Sequence, residues 1–240
     1  MENSNNSESQ PPSEPSPSQP QPQPDPPQPQ EQPEQEPEEL EEPSEPETLN
    51  WPSHMSIVGL PRTGKTTLAS DLLKRLSKVS GCLFVNLQAE PYFEDFMTVR
   101  RVDIAALLAG QSFVWNADPW EVRRKLVEIF LAQRACKTLN PITIFVDEAH
   151  LVAPRGCFAF PESGEITEDC IIGVLCTTGL KWNVRMVWIS QRPQFVDSGV
   201  YRTSRFHVFF TVDATDLAYF RQQGIVFENP EWHDYVVVRS

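Results

Sequence analysis

Gly59, Leu60, Pro61, Arg62, Thr63, Gly64, Lys65 and Thr66 match the pattern G-x-x-x-x-G-K-[ST] at every fixed place. The match follows an apolar run, 55–59, that predicts a strand. It precedes a stretch, 66–79, that predicts a helix with Leu68, Leu72, Leu73 and Leu76 on one face. In that setting the glycines let the backbone turn tightly, so that successive N–H groups point inward at phosphate oxygens. The N-terminus of the following helix adds to the attraction for negative charge. Lys65 is then expected at the β- and γ-phosphates and the Thr66 hydroxyl at Mg²⁺. The eight loop residues and Thr67, at the start of the helix, form the expected ATP-binding segment.

The chain around this loop alternates short β-branched runs with longer amphipathic stretches, the pattern of an α/β fold with a mostly parallel central sheet flanked by helices. Strands are expected at 82–87, 112–115, 142–146, 184–190 and 206–212, with a last edge strand at 234–239. Helices are expected at 93–110, from Pro119 to about Cys136 with Asp118 as N-cap, and at 167–180. A loop containing Pro and Gly spans 153–165.

The run Ile142, Thr143, Ile144, Phe145, Val146 is apolar enough to be buried on both faces and ends in Asp147 and Glu148. Such a strand delivers its terminal carboxylates to the carboxyl edge of the sheet, where open α/β folds bind ligands. Asp147 is expected in the Mg²⁺ shell through water. Glu148 is expected as the base or positioner of an attacking water. Asp147, Glu148, Ala149 and His150 also spell the box of one class of RNA helicases, but those enzymes need two motor domains. His150 is expected to pack or hydrogen-bond behind the acids. A third strand ends in Ser190, Gln191, Arg192 and Pro193, where the Gln191 amide can sense the γ-phosphate.

Taken together, Asp147 to Pro154, Thr178 to Pro193 and the 206–212 strand followed by Asp216 and Leu217 resemble the FtsK–HerA superfamily of DNA-translocating ATPases. With the phosphate loop, the resemblance covers nearly all of residues 54–240. It implies a RecA-like (ASCE) P-loop sheet, a homo-oligomeric ring and passage of double-stranded DNA through its centre. It places Gln191 on the sensor glutamine, so that Lys65, Glu148 and Gln191 form the expected catalytic set. It also implies an arginine supplied in trans, for which Arg192, Arg202 and Arg205 are the candidates. The sequence carries no added winged-helix reader, N-terminal barrel or membrane anchor. That minimal build is similar to the genome-packaging ATPases of icosahedral viruses with internal membranes, which implies a viral protein in the host cytoplasm, associated with the virion. The alternatives are a morphogenesis or export ATPase similar to the zonula-occludens-toxin-like proteins, and a nucleotide-dependent structural or switch protein.

Composition matters most at the N-terminus. Residues 1–50 hold 14 prolines, 13 acids and no Lys or Arg. The net charge of −13 is therefore theirs, and residues 51–240 balance 20 acids against 20 bases. Such a segment has too little apolar surface to offset the entropy of ordering, so a disordered tail is expected before an ATPase domain at 51–240. It reads as a solubilising spacer or as a docking arm for a basic surface, such as a capsid. No apolar run reaches the ~20 residues of a membrane-spanning helix, and the acidic N-terminus does not resemble a signal peptide. Five scattered cysteines without paired spacing suit a reducing compartment. For DNA contact the basic clusters Arg100–Arg101 and Arg123–Lys125 compete with solvated helix faces. Arg155, Phe158 and Phe160 mark 153–165 as a candidate pore loop.

Overall fold

The computed structural model describes residues 53–89, 93–136, 140–161 and 164–240. The expectation for the tail, residues 1–50, lies outside them. Among the described residues, mostly apolar runs form eight strands: β1 (Met55–Val58), β2 (Gly81–Asn86), β3 (Met97–Val99), β4 (Phe113–Asn116), β5 (Ile142–Val146), β6 (Val184–Ser190), β7 (Phe206–Phe209) and β8 (Val236–Arg239). They make one sheet in the order β3-β4-β2-β5-β6-β1-β7-β8. Every pairing is parallel except that of β8 with β7. This is the mostly parallel, helix-flanked sheet of a RecA-like P-loop NTPase.

The period-2 geometry of the strands sends alternate residues to opposite faces. On one face Ile57, Phe84, Phe145 and Ile189 meet Leu72, Leu73 and Leu76 of helix α1 (Lys65–Leu76). On the other, Leu83, Val85, Ile144 and Trp188 pack against Val122, Leu126 and Ile129 of α3 (Pro119–Ala135) and against Ile171 and Leu175 of α5 (Ile171–Thr178). Two apolar faces explain why β5 is buried along its whole length. Asp118 is the N-cap of α3 with Pro119 at its first turn, as its sequence implies.

Residues 93–110 do not form one helix. They give the short edge strand β3 and a single helical turn and a half, α2 (Ile104–Leu108), started by Asp103, whose carboxylate accepts from the Ala106 N–H. Only Leu107 of α2 is fully buried, so the stretch lacks the apolar face that would hold a longer helix. The 167–180 helix is also shorter, with its last turn tightened into a 3₁₀ segment, Gly179–Trp182. The structure adds α4 (Ala149–Val152), α6 (Ser198–Thr203) and α7 (Ala214–Gln222). No described helix is long and apolar enough to cross a membrane.

Two histidines are structural. His54 Nδ1 accepts from the Met186 N–H at 3.0 Å, and His207 Nδ1 lies 2.8 Å from the Ser56 hydroxyl, bridging β1 and β7. Burial lowers both rings to a pKa of about 4, so they are neutral near pH 7.

Candidate active site

Strand order places the loop after β1 between the carboxyl ends of β6 and β7. The Gly59 N–H donates to Ser190 O at 3.3 Å, and the Leu60 N–H to Thr211 O at 2.9 Å. Gly59 sits so close to Phe210 that a Cβ there would lie 2.6 Å from the Phe210 Cβ. Gly64 has φ of 108°, a left-handed conformation that glycine adopts without steric cost. Both fixed glycines thus have a physical reason. The Leu60 carbonyl accepts from Thr63 Oγ1 at 2.9 Å and from Lys65 Nζ at 2.6 Å, which closes the loop on itself.

The loop opens into a cleft of about 660 Å³ at the carboxyl edge of the sheet. Pro61, Arg62, Gly64, Lys65, Thr66 and Thr67 line it, while Thr63 is buried behind it and Gly59 and Leu60 form its base. Asp147, Glu148 and Gln191 line it too, so every side chain expected to act on phosphate faces one cavity. Burial lowers the Lys65 ammonium to a pKa of about 8, partly countered by the Asp147 and Glu148 carboxylates.

Glu148 is 5% exposed and adopts a left-handed backbone, φ 49° and ψ 51°. That sparsely populated conformation turns the chain sharply between β5 and α4 and directs the carboxylate into the cleft. Its Oε1 accepts from Gln88 Nε2 at 2.6 Å and from Gln191 Nε2 in a very short contact. Its Oε2 is buried without a hydrogen-bond donor, and His150 Nδ1 lies 3.3 Å away without hydrogen-bonding geometry. Burial raises the Glu148 pKa, while the Gln191 hydrogen bond, Lys65, Arg192 and the Gln88 hydrogen bond work against the rise. His150 therefore packs beside the acids, its own pKa lowered by burial and by Arg192.

The candidate arginines separate in space. Arg192 is exposed beside its own cleft, its N–H donating to Ser190 Oγ at 3.0 Å. Arg202 is exposed on α6 and donates to Ser198 Oγ at 3.2 Å. Arg205 immediately precedes β7, and its N–H donates to His54 O at 3.1 Å, at the edge of the sheet opposite the cleft. In the 153–165 loop, Phe158 packs on Gly199 and Arg155 lies over the Tyr219 ring at 5.8 Å, while Phe160 is 57% exposed. Arg123 donates to Val152 O at 2.8 Å and Arg124 lies over Trp120, so that cluster is partly occupied with packing.

Five cleft residues are not among the site residues expected from the sequence: Ser70, Asp71 and Lys74 of α1, Gln88 and His233. Gln88 follows the end of β2, and the logic that marks Gln191, a polar residue just past a strand, applies to it equally. His233 carries no local signal. It reaches the cleft because residues 229–235 return across the end of β7.

The profile of the ATPase family associated with various cellular activities (AAA) matches residues 55–214. No curated protein matches the chain in sequence. Among solved structures, the genome packaging NTPase B204 of Sulfolobus turreted icosahedral virus 2, in complex with ATP-gammaS, is similar over 80% of this chain and 94% of its own. It superposes with a TM-score of 0.61 at 12% identity. B204 of Sulfolobus turreted icosahedral virus, a DNA-packaging ATPase, gives 0.53 at 17% identity, covering 71% of this chain and 82% of its own. ATPases 2 and 3 of EssC from Geobacillus thermodenitrificans give 0.50 at 9% identity, covering 79% of this chain and 38% of that one. The resemblance read from the motifs therefore extends to the fold.

Proposed function

The chain belongs to the ATPase family associated with various cellular activities, and from that premise we propose that it is an ATP-hydrolysing motor that moves double-stranded DNA, acting as a homo-oligomeric ring in viral genome packaging. The observation that carries the hydrolytic part is the convergence on one cleft of Lys65, at the start of α1, with Glu148 and Gln191, just past the ends of β5 and β6. The likeness in fold to packaging NTPases supports the DNA part, as do the motifs around Asp147 and Gln191.

In this reading the backbone N–H groups of the loop and the Lys65 ammonium hold the polyphosphate. Lys65 turns from the Leu60 carbonyl to the phosphate oxygens as they arrive, and stabilises charge developing in the transition state. The Thr66 hydroxyl, a hard oxygen donor of the kind Mg²⁺ takes, would ligate the ion, and the Asp147 carboxylate would hold its shell through water. Bound there, Mg²⁺ would neutralise charge on the β- and γ-oxygens. Glu148 accepts the proton of the attacking water. Its undonated Oε2 leaves an acceptor for that proton, and its raised pKa brings its basicity closer to neutral pH. Gln191 fixes the carboxylate and would sense the γ-phosphate through its amide.

The test is ATP turnover with and without double-stranded DNA, alongside the mass of the assembly in solution. DNA-stimulated turnover by an oligomer is expected. Turnover by a monomer, indifferent to DNA and to protein concentration, would remove the translocase reading and leave an ATPase of another role.

A further inference from the structure

The cleft has two ends. Glu148 and Gln191 stand on the β5 and β6 side of the phosphate loop. On the other side of β1 lie β7 and β8, joined through α7 and the segment that follows it. A triphosphate with its γ end at Glu148 must direct its nucleoside away from β5. The residue that meets it on the β7 flank is His233, which lines the cleft together with Pro61 and Arg62.

Residues 229–235 are held firmly in that place. Asn229 brackets residue 212 with its side-chain amide, accepting from the Val212 N–H at 3.0 Å and donating to Val212 O at 2.9 Å. Thr211 Oγ1 donates to Pro230 O and Glu231 O, at 3.2 and 3.0 Å. The Tyr235 ring packs on Phe210, 5.4 Å between centroids, and Phe210 in turn packs on Gly59 and Gly64. The segment is thus built onto the phosphate loop itself. At its tip the Asp234 N–H donates to Glu231 O at 3.1 Å, closing a turn in which His233 takes φ of 73°. Glycine is the residue that suits this conformation, whereas a side chain with a Cβ is strained there. A strained imidazole at the rim of a ligand cleft, flanked by half-exposed Trp232 and Tyr235, presents a flat ring where a flat ligand would sit.

We propose that residues 229–235 form the base-side wall of the nucleotide site, with His233 as the side chain that stacks on the purine. The proposal rests on the reading of the cleft as an ATP site and names the element that recognises the nucleoside. Tyr235, packed on Phe210, limits the freedom of the turn, and His233 makes the contact.

The experiment measures binding of Mg·ATP and of Mg·tripolyphosphate to the full chain and to His233→Ala, His233→Gly and His233→Phe. Stacking of a base on an aromatic side chain is commonly lost at a cost of about 10-fold in affinity. The Ala and Gly variants should bind ATP about that much more weakly and tripolyphosphate unchanged, while Phe should restore ATP affinity. The Gly variant should also melt no lower than the unaltered chain, because it relieves the left-handed backbone. Unchanged ATP affinity in the Ala and Gly variants would overturn the proposal, as would an equal loss for tripolyphosphate. Failure of the unaltered chain to bind either ligand would instead overturn the ATP-site reading itself.

Discussion

Gln88 donates its side-chain amide to Glu148 Oε1 at 2.6 Å, tying the chain beyond β2 to the chain beyond β5. The two strands are neighbours, and the Asp147 N–H donates to Val85 O, so the contact continues their parallel ladder past its last regular pair. A donor aimed at the charged carboxylate lowers its pKa, opposing the rise that burial causes. Gln88→Ala should therefore move the acidic limb of the kcat–pH profile upward, because Glu148 is then protonated at higher pH. A profile that does not move would show that Gln88 leaves Glu148 in the working enzyme.

Lys65→Ala and Glu148→Gln should fail differently. In the proposed mechanism Lys65 touches phosphate in the ground state and the transition state, so its loss should weaken ATP binding and lower turnover by roughly 10²–10³. Glu148→Gln preserves shape and hydrogen bonding and removes the proton acceptor. It should hold ATP and leave it intact. Near-normal turnover by this variant would take Glu148 out of the mechanism.

ATP binding should carry a proton signature from Lys65. With a pKa of about 8, Lys65 is substantially deprotonated at pH 8.5, and a triphosphate beside it restores the charged form. Calorimetry in buffers of different ionisation enthalpy should find proton uptake on binding between pH 8 and 9, absent in Lys65→Ala. The sign for stability follows from the same shift. Lys65 binds fewer protons folded than unfolded between pH 8 and its ordinary value of 10.5, so its burial penalty is present below pH 8 and fades as pH rises through that window.

Gly59→Ala should destabilise the domain by about 1–3 kcal/mol, the usual cost of overpacking. The added methyl would meet the Phe210 Cβ at 2.6 Å and Thr63 Oγ1 at 3.0 Å, and neither is the free end of a flexible side chain. Urea titration of the full chain checks this. A midpoint equal to that of the unaltered chain would mean the loop base has room that the packing denies.

An arginine supplied in trans is commonly worth about 10³–10⁵ in turnover. Among Arg192→Ala, Arg202→Ala and Arg205→Ala, one variant should bind ATP yet suppress unaltered subunits when mixed with them. All three side chains are exposed, as a residue serving a neighbour must be. Activity of each mixture equal to the plain average of its parts would argue against a shared site.

The phosphate loop and the acid pair were legible in the chain because their physics is local. A strand, two glycines, a lysine and a hydroxyl act within a dozen residues, and β5 announces its burial by having no polar face. The helix expected across 93–110 shows where local pattern misleads: its apolar residues are too scattered to cover a face, and β3 takes part of it as an edge strand. What only the tertiary structure decided is which distant residues share the cleft. Gln88 lies 60 positions from Glu148, and His233 is farther still from the loop it overlooks. Their meeting follows from the order β2-β5-β6-β1-β7, set by the packing of two apolar faces against helices and by hydrogen bonding between strands remote in sequence. No short-range periodicity encodes that order, so the phosphate-loop motif and the acid pair could be read along the chain while the meeting of Gln88 and His233 with them in one cleft could not.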